Sequence, residues 1–194
     1  VIRHYNLESN KLEDVQIGLS RIDTEFSNYI AAINFAKQQI IDNQELNSKK
    51  TYERIIAFLS SALSKYFFIR GVFSFGIKFL QIGIEAHEAL EQFDSAANEY
   101  VMMASLQQRA FDYEGHRRTT KKLESLAKRT ANPRIKALAA LCLGEVADKQ
   151  GNYREAVSHL EFAAEYFNKA VQQNPDLTQI ETENESYEYY KGML

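Results

Sequence analysis

Apolar residues along most of this chain recur every three or four positions. This spacing gives an α-helix one continuous buried face. Ile22, Phe26, Ile30 and Ile33 repeat in this way within a long segment near the start of the chain. No stretch alternates between apolar and polar residues for long enough to predict a strand. The pattern therefore predicts an all-α protein.

Turn signals divide the helical pattern into segments. Gly71 and Gly151 each follow an apolar periodic run, where a left-handed residue commonly ends a helix. Pro133 marks a further helix start. The predicted segments are an entry region of helices at 11–48 with a candidate break at Gly18 and a loop at 42–48, helix pairs at 51–90, 94–130 and 134–175, and a capping or partial helix at 176–194.

Two of the helix pairs match each other at an offset of 80 residues, which fits two units of about 40 residues. A small residue at the position of Gly76 and Ala156 allows the two helices of a pair to approach closely. A weaker middle copy places its turn at Glu114, next to Gly115. The matched positions are Leu63, Gly71, Phe73, Gly76, Leu80 and Gly83 with Leu143, Gly151, Tyr153, Ala156, Leu160 and Ala163.

The best-matched pair, residues 137–175, carries Leu143-Gly144, then Gly151-Asn152-Tyr153, then Ala156, Leu160 and Ala163. This spacing resembles the tetratricopeptide pattern, and 57–90 resembles it less closely. The resemblance implies one domain over 1–194, a right-handed superhelical stack of antiparallel helix pairs with about seven or eight helices. The chain departs from the family at Ser60 and Ala140, where a bulky aromatic residue is usual, and in its longer period.

Residues 22–36 read IDTEFSNYIAAINFA, and residues 66–80 read YFFIRGVFSFGIKFL. These segments resemble the entry helix and the next helix pair of the superhelical sensor in STAND-class signalling ATPases. The resemblance covers about 19–90. It implies that the chain is a sensor portion of a larger signalling or regulatory ATPase, and the first residue, Val1, favours an excised domain. The chain lacks the Gly-rich phosphate loop of the ATPase core.

Composition narrows the environment and the partners. The formal net charge of −3 argues against a general nucleic-acid or membrane-surface binder. The single cysteine, Cys142, excludes an internal disulfide and suits a reducing compartment. No apolar run reaches the ~20 residues that span a bilayer, and no signal peptide opens the chain. A cytoplasmic location is therefore expected.

Residues that commonly carry chemistry are present without a recognisable motif. The four histidines, His4, His87, His116 and His159, have no metal-ligand spacing, which favours surface or turn positions. Cys142 lies among leucines, as a buried small residue does. Ser60, Ser61 and Ser64 are interpreted as small residues between helices. These observations predict a protein that is not an enzyme and that uses no metal or cofactor.

The inner, concave face is the usual binding surface of a helical stack. We expect a protein or peptide ligand there, in extended or helical form. The alternative is that Phe58 and Phe68 pack between helix pairs. Self-association through the terminal helices is a further expectation. The candidate residues are Lys65, Phe68, Gln108, Phe111, Asp112, Glu145 and Lys149.

A second candidate surface is the basic side of the helix near residues 117–129, where Glu124 is the only expected counter-charge. It suggests an alternative function, a nucleic-acid-linked transcriptional regulator. No aromatic residues interleave with the cations, which makes nucleic acid the less favoured partner. The simplest alternative is a solvated outer face. The basic residues are Arg117, Arg118, Lys121, Lys122, Lys128 and Arg129.

Overall fold

The computed structural model describes residues 11–43 and 45–174 of the chain. These residues form helices without any strand, which confirms the all-α prediction. None of these helices is both long and apolar enough to cross a membrane. The predicted helix at 176–194 lies outside the described residues. The helices are α1 (Leu12–Asp42), α2 (Leu46–Arg70), α3 (Phe73–Ala89), α4 (Phe93–Arg109), α5 (Tyr113–Arg129), α6 (Pro133–Lys149) and α7 (Tyr153–Gln173).

Two predictions about the entry region were wrong. Gly18 does not break α1 but is buried within it, because a helical glycine costs only about 1 kcal/mol and packing outweighs that cost. The predicted loop at 42–48 is shorter, since α2 already begins at Leu46. The polar residues Asn47 and Ser48 lie in the first turn of α2 and not in a loop. Ser48 donates a hydrogen bond to the Glu45 carboxylate there, at 3.0 Å.

From α3 onward each helix with its turn spans 20 residues, so that a helix pair spans 40, the length that the sequence suggested. Helices α3, α4, α5 and α6 each contain 17 residues, and α3 to α7 start at residues 73, 93, 113, 133 and 153. Residues with left-handed backbone lie at intervals of 20, 20 and 40 residues, which are multiples of the same spacing. Their φ values are 69° at Gly71, 57° at Glu91, 59° at Phe111 and 78° at Gly151.

The register of the middle repeat was therefore misplaced in the sequence. Its turn lies at Phe111, not at Glu114 or Gly115. The Asp112 carboxylate accepts a hydrogen bond from the Gly115 amide at 2.8 Å, so Asp112 caps α5 and Gly115 is inside the helix. Gly71 and Gly151, in contrast, occupy the equivalent turns that their 80-residue offset predicts.

Helices α1 to α4 belong to one compact unit, residues 1–111. In this unit, α2 packs against α1, α3 and α4, and α3 also packs against α4. The core centres on Phe67, which is fully buried with its ring centroid 5.0 Å from that of Phe79 and 5.8 Å from that of Phe75. A methyl group on Gly76 would lie 2.7 Å from Phe67, so this glycine allows α3 to approach α2 closely.

Helices α5 to α7 belong to the second compact unit, residues 112–194. Helix α6 packs against both α5 and α7. Its apolar residues are buried around most of its circumference, including Ile135, Leu138 and Leu141. Cys142 is also buried, as the sequence predicted, and burial followed by the nearby charge of Glu145 raises the pKa of its thiol well above the usual range.

Candidate functional site

Four residues predicted for the concave face lie in the first unit. Lys65 and Phe68 are on α2, Gln108 is on α4, and Phe111 is the left-handed residue after α4. The Arg109 guanidinium lies 4.0 Å from the centre of the Phe68 ring, a favourable cation–π distance. This contact places the C-terminal ends of α2 and α4 side by side. Phe111 is 77% exposed.

Exposed apolar side chains form a line along α2 in this unit. Phe58 is 54% exposed, and Ile55 and Ile69 are each 39% exposed. Together with Ala62 and Lys65, which are half-buried, they follow spacings of three and four residues that place all five side chains on one face of the helix. Phe58 is therefore exposed in the described residues, whereas Phe68 is half-buried against Arg109 of α4. This surface, called the α2 stripe below, consists of Ile55, Phe58, Ala62, Lys65 and Ile69.

The other three predicted concave residues lie in the second unit and have different surroundings. Asp112 caps α5. The Glu145 carboxylate is 3.7 Å from His116 Nε2, and Lys149 Nζ is 3.7 Å from Asp148. The residues of α6 that match the start of the α2 stripe at the 80-residue offset are buried, so the exposed stripe is not repeated there. These residues are Ile135, Leu138 and Cys142.

The basic residues of α5 are all exposed, while Leu123 and Leu126 on the opposite side are fully buried. Arg117 pairs with Glu114 at 2.9 Å and Lys128 pairs with Glu124 at 2.6 Å. Glu124 is therefore not the only counter-charge, contrary to the expectation. Glu114 was overlooked because it lies one turn before the basic run. The exposed cations are Arg117, Arg118, Lys121, Lys122, Lys128 and Arg129.

A polar cluster around the buried Glu99 side chain in the first unit was not foreseen from the sequence. The Glu99 side chain on α4 is 3% exposed and accepts hydrogen bonds from Ser60 and Ser61 on α2, each at 3.0 Å. His87 on α3 is 4% exposed, with its Nε2 3.2 Å from the Glu99 carboxylate. The placement of His87 at a surface or turn was wrong. We call Ser60, Ser61, His87 and Glu99 the Glu99 cluster.

One sequence signal could have indicated this cluster. Glu99 shares the buried face of α4 with Ala96 and Met103, three residues before it and four residues after it. A carboxylate on an otherwise apolar helical face must have buried hydrogen-bond donors, because desolvating an unpaired charge is very costly.

The surroundings of His87 favour its charged form. Its Nδ1 lies 2.8 Å from Gln92 Oε1, and its Nε2 faces the Glu99 carboxylate, so both ring nitrogens meet acceptors. Burial alone lowers the pKa of His87. The hydrogen bond and charge of Glu99 outweigh burial, with smaller contributions from Gln92 and the Ala57 backbone, and the pKa is raised above 6.5.

The Glu99 cluster includes a serine beside a histidine, but its geometry differs from that of an activated nucleophile. Ser61 Oγ is 3.0 Å from His87 Nε2 and also 3.0 Å from Glu99. In a catalytic triad the acid orients the histidine through Nδ1, whereas here it contacts the same nitrogen as the hydroxyl. Ser61 also lies within α2, where the backbone amides are held in helical hydrogen bonds. The cluster is suited to joining α2, α3 and α4.

His116 is the buried histidine of the second unit, and its placement at the surface or a turn was also wrong. It is 2% exposed. Burial, followed by the positive charge of Lys149, lowers the pKa of His116. Among residues 11–43 and 45–174, no group of three or more His, Cys, Asp or Glu side chains could hold a metal ion.

The two buried histidines should give opposite pH dependences of stability. The pKa of His87 is raised on folding, so its stabilisation is present below pH 6.5 and is lost as pH rises through the folded pKa. The pKa of His116 is lowered, so its stabilisation is present above 6.5 and is lost as pH falls. The free energy of unfolding can be measured in urea between about pH 5.5 and 8.5. His87→Gln should lower it more at low pH, and His116→Gln should lower it more at high pH.

The control for this comparison is His159→Gln, which alters a part-exposed histidine on α7. Its effect on the free energy of unfolding should stay within about 0.5 kcal/mol across the range. A loss for His87→Gln that is the same at every pH would contradict the assignment of a raised pKa.

No protein-family model and no curated protein matches this chain. The described residues offer two exposed surfaces of different character, the apolar α2 stripe in the first unit and the basic side of α5 in the second.

Proposed function

We propose that this chain is a helical scaffold that binds a protein or peptide, and that the α2 stripe is its binding surface. The observation that carries the proposal is the row of residues on one face of α2, in which the apolar side chains of Ile55, Phe58 and Ile69 are exposed and Phe58 is more than half exposed. Single exposed apolar residues are common on protein surfaces. A contiguous apolar line rimmed by polar residues marks an interaction site more specifically.

The shape of the α2 stripe favours an amphipathic helix as the ligand. Ile55 and Ile69 are 14 positions apart, which corresponds to about 21 Å along a helix axis. Phe58 and Ala62 lie between them at successive turns. A partner helix with apolar residues at i, i+3, i+4 and i+7 presents anchors at the same intervals. Lys65 and the nearby Arg109 would favour a partner with acidic residues beside those anchors.

The wider role that we propose is sensing within a larger cytoplasmic signalling ATPase. It is supported by the resemblance of 19–90 to the STAND sensor and by the tetratricopeptide-like spacing of the helix pairs. The regular succession of helices and short turns in the described residues is compatible with such a role. In this proposal a ligand at the α2 stripe would be the signal.

A displayed library of helix-forming peptides of about 16 residues, selected against the full chain, tests the binding surface. The selected peptides should bind Phe58→Ala and Ile69→Ala at least about tenfold more weakly, because truncating a central apolar anchor commonly costs more than 1 kcal/mol. Phe162→Ala is the matched control, since Phe162 is 44% exposed on α7. Its effect should stay within about twofold.

Circular dichroism and urea unfolding of each variant should confirm that the fold is kept. The proposal fails if selection yields no peptide binders, if the binders tolerate both substitutions in the α2 stripe, or if Phe162→Ala weakens them equally.

A further inference from the structure

The six cations of α5, Arg117, Arg118, Lys121, Lys122, Lys128 and Arg129, form what we call the α5 face. We propose that the α5 face is a second binding surface, which takes an acidic helical segment of a partner protein. This inference goes beyond the proposed function, because it concerns another helix and a ligand that is recognised by its charge and not by apolar anchors.

The cations of the α5 face are arranged in two neighbouring rows. Arg117, Lys121 and Lys128 make one row, and Arg118, Lys122 and Arg129 make the other, since helical residues four and eleven apart lie nearly above one another. The rows extend for about 18 Å along the helix axis. Leu123 and Leu126 hold the opposite side in the core, so the cations have a fixed orientation toward solvent.

The centre of the α5 face has no internal charge compensation. Glu114 and Glu124 pair with Arg117 and Lys128 at the two ends. Within residues 11–43 and 45–174, no acidic side chain pairs with Arg118, Lys121 or Lys122. Like charges one turn apart on a helix repel each other and slightly destabilise it. A ligand with negative charge would relieve this repulsion.

The charge asymmetry of the chain agrees with a local anion site. Residues 112–174 contain eleven Lys and Arg against eight Asp and Glu, although the whole chain has a formal net charge of −3. A long polyanion would therefore meet net repulsion beyond α5, whereas a short acidic segment would contact mainly the cations. This difference favours a segment of a protein over a nucleic acid.

Two details of α5 also disfavour a phosphate backbone. The positive N-terminus of a helix attracts phosphate, but the Asp112 carboxylate already occupies that end of α5 and Glu114 lies beside it. No aromatic side chain lies among the six cations to stack on bases. Carboxylates at i and i+4 of a partner helix, in contrast, are about 6 Å apart along the axis, as are Lys121 and Arg117.

Fluorescence anisotropy with three labelled probes tests the inference on the full chain. The probes are an alanine-based helical peptide of about 20 residues with Glu at every fourth position, the same peptide with Gln, and a DNA duplex of about 20 base pairs. At about 50 mM salt the Glu peptide should bind more tightly than either other probe. Raising the salt to about 200 mM should weaken it, because exposed charges are screened.

The decisive variant is Arg118→Gln with Lys121→Gln and Lys122→Gln, which should weaken the Glu peptide at least about tenfold. The matched control carries Lys37→Gln, Lys50→Gln and Lys78→Gln. It removes three exposed cations from the first unit and should change affinity by no more than about twofold. Phe58→Ala should leave Glu-peptide binding unchanged, so a failure of the α2 stripe and a failure of the α5 face remain distinguishable.

Several results would overturn the inference. They are an absence of Glu-peptide binding, an equal loss for both triple variants, and tighter binding of the duplex, which would indicate a nucleic-acid surface. A further variant neutralises Glu181, Glu183, Glu185 and Glu188 to Gln within the full chain. If it strengthens probe binding about tenfold, the occupant is the chain's own acidic terminus and not a partner.

Discussion

Replacing Glu99 with Ala is expected to lower the free energy of unfolding by roughly 3–5 kcal/mol, as measured by urea denaturation near neutral pH. The substitution removes the acceptor for Ser60, Ser61 and His87 at once. It also leaves the His87 ring buried without the carboxylate that stabilises its charge. We expect the packing among α2, α3 and α4 to be lost first.

Glu99→Gln separates charge from shape in this experiment. The amide keeps an acceptor oxygen at nearly the same place, so Glu99→Gln should lower the free energy of unfolding less than Glu99→Ala does. Glu85→Ala, at an exposed position of α3, is the matched control and should change stability by no more than about 0.5 kcal/mol. A loss below about 1 kcal/mol for Glu99→Ala would show that the cluster is not required for stability.

The second large effect is expected for Gly83→Ala, which should lower the free energy of unfolding by roughly 1–3 kcal/mol because the added methyl group overpacks the core. A methyl group at this position would lie 1.9 Å from Ser60 Oγ and 2.3 Å from Glu99 Oε2. Ordinarily Gly→Ala within a helix stabilises it by about 0.5–1 kcal/mol. The sign should be reversed here because the added methyl pushes apart the Ser60 and Glu99 side chains.

A double variant tests this explanation. Combining Gly83→Ala with Ser60→Gly removes the closest obstacle to the new methyl group. The double variant should therefore lose less free energy of unfolding than the two single variants lose in sum, by about 0.5 kcal/mol or more. Gly144→Ala is the control, because its nearest neighbour, Leu160, would be 3.1 Å from the methyl group. Additive losses at Gly83 and Ser60 would contradict the steric account.

Much of the order and extent of the helices could be predicted from local sequence. The last predicted pair, 134–175, agrees closely with α6 and α7, which run from Pro133 to Gln173. Pro133 and the two turn glycines marked element boundaries, because proline fixes φ and glycine adopts the positive φ of these turns without steric cost. Apolar residues at helical spacing identified the buried faces without reference to any other segment.

The turn at Phe111 could not be located in this way, whereas the gap between the predicted pairs 51–90 and 94–130 already marked the turn at Glu91. Both residues have left-handed backbone, which residues with a side chain adopt only under constraint from the surrounding structure. Neither residue signals a turn by its chemistry. The two glycine turns are 80 residues apart, four of the 20-residue steps, because the left-handed residues at Glu91 and Phe111 between them are not glycine.

The candidate surfaces depended even more on distant contacts. Glu99 meets Ser60 across 39 positions of sequence, so no local spacing reveals their hydrogen bond. The α2 stripe and the matching positions of α6 have similar apolar character, yet Phe58 is exposed and Leu138 is buried. Which apolar face stays open is decided by the neighbouring helices, and the sequence pattern of a single helix does not contain that information.

The constant length of α3 to α6, each with its turn, restricts how this chain could have grown by duplication. Short connections reverse the chain direction at each step, so a copied segment of one helix would make every later helix run the opposite way and present its sides to the wrong neighbours. Copying two consecutive helices restores both direction and facing. We therefore expect natural length variation of this architecture to come in steps of about 40 residues, with single-helix gains or losses confined to the ends.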